Sequence, residues 1–152
     1  MALVVPFAGC AHSGPAVATR PPVPMTFFPA DNEDYPDVVQ ALNVRLQATF
    51  PPGPTVSYAK VTLEEAQVAV GCSDATVECW NLVAEPIPTQ SMLVAEVKKE
   101  GSAGVRLNLM IYDAAGGKTL RHAERVFLNA ALAKDGVPEV VDLLVAHGGG
   151  VE

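Results

Sequence analysis

The sequence has little positive charge and no long hydrophobic run. Its 152 residues carry 10 Lys and Arg against 17 Asp and Glu, which gives a net charge of -7 at pH 7. Because nucleic-acid-binding proteins are usually basic, this balance disfavours that class. No apolar run approaches the ~20 residues that a membrane-spanning helix needs. With 49% apolar and 18% charged residues, the chain is predicted to fold as one domain around a packed core.

The sequence also lacks a catalytic motif, and we predict that the protein is not an enzyme and binds no cofactor. No serine stands in a Gly-x-Ser-x-Gly turn. Residues 116–119 (Gly-Gly-Lys-Thr) resemble the end of a phosphate-binding loop, but that motif needs a glycine at Tyr112 and a helix after the loop. We interpret His122 as a hydrogen-bonded structural residue rather than a catalytic base. Glu64 and Glu65 fit the first turn of a helix, where negative charge is favourable.

Cysteine is scarce, with three residues in the chain. Cys72 and Cys79 are separated by six residues, and so close a pair is a natural disulfide in an oxidising compartment. Two free buried thiols are the main alternative. Zinc is disfavoured because it needs four ligands, and the three histidines (His12, His122 and His147) show no ligand spacing around the pair. We therefore predict a Cys72–Cys79 disulfide and no metal site.

The third cysteine, Cys10, follows a short apolar segment. Ala8-Gly9-Cys10 resembles the end of a bacterial lipoprotein signal peptide. The resemblance implies cleavage before Cys10 and attachment of lipid to its thiol. Only nine residues precede Cys10 and none is positively charged, whereas a secretory signal has a basic start and an apolar segment of 7–15 residues. We therefore expect residues 1–9 to be the remnant of a signal peptide that starts upstream.

A tether is predicted after Cys10. Residues 10–23 are rich in proline and small residues and show no helical or strand period, which is typical of a semi-extended linker. Ala11, directly after the cysteine, favours the outer membrane by the same lipoprotein resemblance. The protein would then lie on the periplasmic face of the outer membrane and meet the membrane only through its lipid. The alternative is a cytoplasmic protein whose apolar start arose by chance.

Residues 24–147 are predicted to form a single α/β layered domain with the order β-α-β-α-α-β-β-β-α. The clearest signal is the strict alternation of apolar and other residues over 105–112, which indicates a half-buried antiparallel strand. The predicted strands are residues 24–28, 55–60, 91–99, 105–112 and 119–127, and the predicted helices are 35–49, 62–71, 74–84 and 137–146. We expect a mixed sheet that ends in an antiparallel meander, with helices packed on it and a glycine-rich tail at residues 148–152.

Several residues are predicted to fix the ends and the core of these helices. Asp34 is a candidate N-cap of the first helix, and residues 62–65 (Thr-Leu-Glu-Glu) form a capping box at the start of the second. Gly148 is a candidate C-cap of the last helix. Trp80, the only tryptophan, is interpreted as a core anchor rather than a platform for a ligand.

Three local pieces of the sequence resemble one family. They are the helix-strand-helix start over residues 35–70, the Gly71-Cys72 pair followed by Cys79 in the next helix, and the meander pattern. In the meander, residues 93–97 (Leu-Val-Ala-Glu-Val) and 105–109 (Val-Arg-Leu-Asn-Leu) precede a turn and an arginine-bearing strand over residues 113–121. Together they span some 115 residues and resemble the envelope lipoproteins built on the TolB N-terminal and CsgG-like α/β domain. The resemblance implies a periplasmic adaptor or assembly domain rather than an enzyme.

Positive charge is concentrated in the middle of the chain. Residues 86–134 carry seven cations and four acids, whereas the segments before and after them are acidic. These cations either decorate solvated strands or form a contact surface for an acidic partner. We predict a partner-binding surface on the outer face of the meander, formed by Arg106, Lys118, Arg121 and Arg125.

These observations predict a lipid-anchored adaptor or assembly protein of the periplasm or outer membrane, which acts by binding another envelope protein. One alternative is a small-molecule or glycan-binding module of the envelope, and another is a structural subunit of an envelope complex. A deep pocket with a titratable cluster would favour the ligand-binding module. A flat sheet face with a basic stripe would favour the adaptor.

Overall fold

A computed structural model describes residues 24–74 and 76–146 of the chain. They form one α/β layered domain with the predicted order of elements, so the predicted fold class is confirmed. Residues 1–23, with the predicted signal remnant and tether, and the predicted tail lie outside the described residues. The elements are β1 (Met25–Phe28), α1 (Pro36–Thr49), β2 (Val56–Tyr58), α2 (Leu63–Val70), α3 (Val77–Ala84), β3 (Ser91–Glu100), β4 (Gly104–Asp113), β5 (Lys118–Phe127) and α4 (Ala130–Ala146).

The five strands form one mixed sheet in the order β2-β1-β3-β4-β5. Strand β1 lies between β2 and β3 and is parallel to both. Strands β3, β4 and β5 form the expected antiparallel meander, in which Leu107 pairs with Val97 on one side and Arg125 on the other. The β4–β5 register shifts between Ile111 and Tyr112. The sheet therefore ends in the ten-residue strand β5 on one side and the three-residue strand β2 on the other.

Helices cover both faces of this sheet. Helices α1 and α4 pack on the face where Leu107 is buried together with Leu42 of α1, and we call it the α1/α4 face. Helices α2 and α3 cover part of the opposite face, the α2/α3 face, where Trp80 packs on Tyr112 with their ring centroids 6.0 Å apart. The alternation predicted for β4 and the core position predicted for Trp80 are both confirmed.

The capping box predicted for α2 is present. The backbone N–H of Glu65 donates to Thr62 Oγ1 at 3.2 Å, and the backbone N–H of Thr62 donates to Glu65 Oε2 at 2.8 Å. The helix ends at Gly71, whose φ of 77° lies in the left-handed region that glycine adopts without a steric penalty. The chain then turns from α2 into the segment that leads to α3.

The starts of α1 and α3 differ from the prediction. The N-cap of α1 is Tyr35 rather than Asp34, because Asn32 Oδ1 accepts the N–H of Asp34 at 2.9 Å and closes a turn before the helix. Helix α3 begins at Val77 rather than near Asp74, with Thr76 Oγ1 accepting the N–H of Cys79 at 3.3 Å. Helix α3 therefore has a side-chain cap from Thr76, whereas α1 begins without one.

Helix α4 starts earlier than predicted, at Ala130 rather than Val137. Asn129 caps it, because Asn129 Oδ1 accepts the N–H of Leu132 at 3.0 Å. Pro138 lies inside the helix, where it removes one hydrogen bond without ending the element. The predicted C-cap, Gly148, lies outside the described residues. Among the described residues, no helix is long and apolar enough to cross a membrane.

Candidate protein-binding edge

The cysteine pair that the sequence singles out is joined in a disulfide. The Cys72 and Cys79 sulfurs are 2.00 Å apart and their Cα atoms 5.7 Å apart, which confirms the predicted bond. Cys79 is buried in α3 and Cys72 is half-buried just after α2, so the bond ties the two helices of the α2/α3 face together. Cys10, the predicted site of lipid attachment, lies outside the described residues.

The four predicted partner-binding cations do not share one face of the meander. Arg106 pairs with Val126 in the sheet register, whereas Arg125 pairs with Leu107, a residue of the α1/α4 face. Arg121 pairs with Ile111 and therefore also lies on the α1/α4 face. Side chains alternate between faces along a strand, so Arg106 lies on the α2/α3 face. The predicted cations are therefore divided between the two faces of the meander.

Arg106 is held by acidic neighbours on the α2/α3 face. Its guanidinium lies 2.6 Å from Glu100 Oε2 and 3.8 Å from Glu124 Oε2, and each of the three side chains is between about a third and half exposed. The Nε–H of Arg106 also donates to Glu100 at 2.9 Å. Its charge is therefore largely compensated within the domain.

Arg121 and Arg125 lie on the same face of β5, at the flank of α4. The guanidinium of Arg121 donates to the backbone carbonyl of Val145 at 3.5 Å, near the C-terminal end of α4, where positive charge is favourable. Arg125 lies 3.4 Å from Glu139, and both of these side chains are more than half exposed. Exposed ion pairs are weak, so Arg125 keeps its capacity for a further carboxylate.

Lys118 lies at the first position of β5, where the turn from β4 ends. It pairs with Asp113 in the sheet register, and Gly117 before it has a φ of 62°, which permits the tight turn. Lys118 is exposed and makes no ion pair with any residue that the structure describes. With Arg121 and Arg125 it places three cations along one strand.

Strand β5, which carries these cations, is the long free edge of the sheet. It pairs with β4 alone, and most of its residues are exposed. Alternate residues of such a strand point their N–H and C=O groups away from the sheet. Sequence reasoning found the cations but not this edge, because edge position depends on the order of strands rather than on any one of them.

A row of polar side chains crosses the uncovered part of the α2/α3 face, and sequence reasoning found only one of its members. His122 Nε2 lies 2.7 Å from Asn108 Oδ1, Asn108 Nδ2 donates to Glu96 Oε2 at 2.8 Å, and Lys98 lies 2.8 Å from Glu96 Oε1. The hydrogen-bonded role predicted for His122 is confirmed. The row joins β5, β4 and β3. Its signal in the sequence is the polar residues that alternate with core residues along these strands.

A polar crevice of about 310 Å³ opens beside this row. It lies beyond the end of β1, where β3 continues past its last pair with β1, which is Phe28 with Val94. Its walls come from the loop after β1, the start of α2 and the middle of β3. The polar lining residues are Asp31, Asn32, Thr62, Glu64, Gln67, Ser73, Glu96 and Lys98.

The described residues contain no group of three or more His, Cys, Asp or Glu side chains placed to hold a metal ion. The crevice carboxylates Asp31, Glu64 and Glu96 therefore do not form a metal centre. What the geometry offers is a charged strand edge and a polar crevice, on opposite flanks of the meander.

Comparison with known proteins found similar folds among solved structures only. No protein-family model matches the chain, and no curated protein matches it in sequence. The C-terminal domain of LpoB from Salmonella enterica has a TM-score of 0.44 at 12% identity, over 69% of this chain and 82% of that one. Lipoprotein GNA1162 from Neisseria meningitidis has a TM-score of 0.46 at 19% identity, over 82% and 97%.

A third solved structure is TolB from Acinetobacter baumannii. Its TM-score is 0.42 at 14% identity, over 83% of this chain but 28% of TolB, so the chain corresponds to about a quarter of that protein's length. At these identities and TM-scores the similarities assign neither a family nor a function. The TolB and CsgG-like resemblance therefore stays a prediction from the sequence.

Proposed function

We propose that this protein is a lipid-anchored component of the bacterial envelope that binds another envelope protein and catalyses no reaction. The observation that carries the binding role is the free edge of β5, where Arg121 and Arg125 lie on one face at the flank of α4. Cations on an exposed edge attract and orient a partner that carries acidic groups. The occupant of this edge is therefore an acidic region of a protein.

The disulfide supports the proposed compartment. Disulfides persist in the periplasm and outside the cell and are rare in the reducing cytosol, and Cys72 and Cys79 are bonded. The Ala8-Gly9-Cys10 sequence supports an anchor at Cys10, and the proline-rich residues 10–23 would set how far the domain reaches from the membrane. Ala11 favours a location on the periplasmic face of the outer membrane.

The partner surface that we propose is smaller than the predicted one. Arg121, Arg125 and Lys118 lie along β5, whereas Arg106 is engaged by Glu100 and Glu124 on the other face. We therefore assign partner binding to the three cations of β5 and give Arg106 a structural role.

A small-molecule or glycan-binding function is the second candidate, and the polar crevice beside β3 favours it. Its volume of about 310 Å³ is at the lower end of the range for small-molecule sites. Titration with soluble envelope saccharides, followed by the amide signals of Glu96 and Gln67, separates the two functions. Saturable shifts at the crevice without any change at β5 would support this candidate over the adaptor.

The compartment and anchor are tested by the intact mass of the protein purified from its native membranes without reductant. We expect a chain that begins at Cys10, carries acyl groups and has lost two hydrogens to the Cys72–Cys79 bond. An unmodified chain with three free thiols would contradict both the anchor and the periplasmic location.

The binding role is tested by cross-linking the anchored protein in the envelope and identifying the captured proteins. We expect Arg121→Glu together with Arg125→Glu to lower capture of a specific partner by about tenfold, because two attractive contacts become repulsive. The matched control is Lys60→Glu with Lys99→Glu, which has the same change in net charge but lies outside β5. Equal capture by both double variants would overturn the proposal.

A further inference from the structure

We propose that the free edge of β5 binds an extended acidic segment of the partner as a sixth strand of the sheet. The segment carries acidic side chains at positions i and i+4 and a small or apolar side chain at i+2. This inference rests on the proposed function and names the mode by which the same edge would bind.

The backbone of β5 offers the hydrogen bonds that strand addition needs. The strand runs for ten residues, Lys118–Phe127, and pairs with β4 alone. Among the described residues, no backbone hydrogen bond from a turn or another element reaches its outward N–H and C=O groups. Such unpaired groups are a template for an added strand, whose main chain supplies affinity and whose side chains supply specificity.

The side chains on the α1/α4 face of β5 define the acidic spacing. Arg121, Ala123 and Arg125 alternate on this face, and a strand rises about 3.3 Å per residue, so the two arginines lie about 13 Å apart along the strand. Residues i and i+4 of an added strand have the same spacing and lie directly across from them. Ala123, which is buried, leaves room for a small or apolar residue at i+2.

Each of the two arginines can bind a further carboxylate. Among the described residues the Arg121 guanidinium donates to one acceptor, the carbonyl of Val145 at 3.5 Å, whereas it has five N–H donors. Arg125 shares its charge with Glu139 at 3.4 Å, and both side chains are more than half exposed. A guanidinium binds two carboxylates through different edges, so the partner's acid adds to Glu139 rather than replacing it.

The opposite face of β5 predicts uncharged partner residues at i+1 and i+3. His122 is held by Asn108 at 2.7 Å, and Glu124 lies 3.8 Å from Arg106. Both groups are directed inward, across β4. The charge that faces an added strand is therefore mainly that of Arg121 and Arg125, which gives the edge its preference for an acidic segment.

A second copy of this chain fits the edge less well than an acidic segment does. Antiparallel self-pairing centred on Ala123 sets Arg121 of each copy opposite Arg125 of the other, and like charges directly opposite each other are unfavourable. The other edge of the sheet is β2, which has only three residues.

The test is a titration of the full-length, ¹⁵N-labelled chain with a synthetic peptide, acetyl-Thr-Asp-Thr-Val-Thr-Asp-Thr-amide. We expect saturable shifts and slowed hydrogen exchange at alternate amides of β5, and about tenfold weaker binding to the Arg121→Glu, Arg125→Glu variant. Lys60→Glu with Lys99→Glu is the matched control and is expected to bind the peptide as the wild type does.

Two control peptides separate strand addition from simple charge attraction. One has lysine in place of both aspartates, and the other keeps the aspartates but has N-methyl groups on alternate backbone nitrogens. Strand addition predicts that both fail to bind. Equal binding of the N-methylated peptide, or shifts outside β5, would overturn it. So would concentration-dependent pairing of β5 without peptide, which identifies a second copy as the occupant.

This outcome is distinguishable from failure of the proposed function. If envelope capture depends on Arg121 and Arg125 while the peptide does not slow amide exchange in β5, the result supports the adaptor function and contradicts strand addition. If substitution of both arginines leaves capture unchanged, the result contradicts the proposed adaptor surface, whether or not the peptide binds.

Discussion

Tyr112 is the residue at which burial, hydrogen bonding and charge meet most clearly. Its side chain is the largest of the fully buried ones, and its hydroxyl donates to Asn81 Oδ1 at 3.1 Å. Burial raises the pKa of Tyr112 above its ordinary value of 10.0, and the negative charges of Asp113 and Glu78 raise the pKa further. The folded protein therefore keeps this phenol protonated at a pH where the unfolded chain has begun to lose the proton.

We predict that the free energy of unfolding falls as the pH rises above about 10. The Tyr112→Phe variant is expected to show a smaller fall. Since the folded pKa is raised, the stabilising contribution is complete below the unfolded pKa and is lost as the pH rises toward the folded one, by up to about 1.4 kcal/mol per pH unit. Urea unfolding from pH 8 to 11 measures this slope. Tyr35→Phe, in the loop before α1, is the control, and equal slopes for both variants would contradict the prediction.

At the scale of elements, the meander is specified by local alternation and its flanking helices by contacts made at a distance. Residues 105–112 alternate strictly, so β4 is predictable from sequence. The start of α1 is not, because Asn32, which closes the turn before it, also donates to the carbonyl of Val97 at 2.8 Å. The face of Arg121 is likewise not predictable from the sequence, since it depends on the β4–β5 turn and on the register shift at Ile111.

The β3–β4 turn provides the prediction at this scale. A Cβ atom at Gly104 would lie 2.6 Å from the carbonyl oxygen of Glu100 and 3.2 Å from that of Phe127. Both are backbone atoms of the sheet, which cannot move aside as a side chain can, so Gly104→Ala is expected to lower the free energy of unfolding by about 1–3 kcal/mol.

Gly53→Ala is the matched control for this substitution. A Cβ atom there meets nothing within 4 Å, and the loss of unfolded-state freedom stabilises by about 0.4–1 kcal/mol where the backbone suits alanine. Chemical denaturation of both variants is the measurement. Equal stability of the two variants would contradict the predicted clash of a Cβ atom at Gly104 with the carbonyl oxygens of Glu100 and Phe127.

The molecule as a whole consists of two helical layers of unequal size on one sheet. Among the described residues, the buried cluster on the α1/α4 face has eighteen members and that on the α2/α3 face has eight. Burial of apolar side chains is the main stabilising contribution, so the α2/α3 layer has less of it. The disulfide lies in this smaller layer, where it joins the end of α2 to α3. The cross-link therefore compensates for a shortage of core where the shortage is greatest.

This asymmetry predicts that the α2/α3 layer opens before the α1/α4 layer, and that reduction of the disulfide widens the difference. Closing an eight-residue ring in the unfolded state contributes about 2.5 kcal/mol by the chain-entropy estimate. Amide exchange in α2 and α3 should therefore accelerate by up to about 70-fold on reduction, while amides of α4 change less because they open with the larger cluster. Native-state hydrogen exchange with and without reductant measures the change in each helix.

The Cys72→Ser, Cys79→Ala variant controls for the reductant, since its exchange should match that of the reduced protein. Equal acceleration in all four helices would mean that the domain unfolds only as a unit, and that the disulfide stabilises both layers alike.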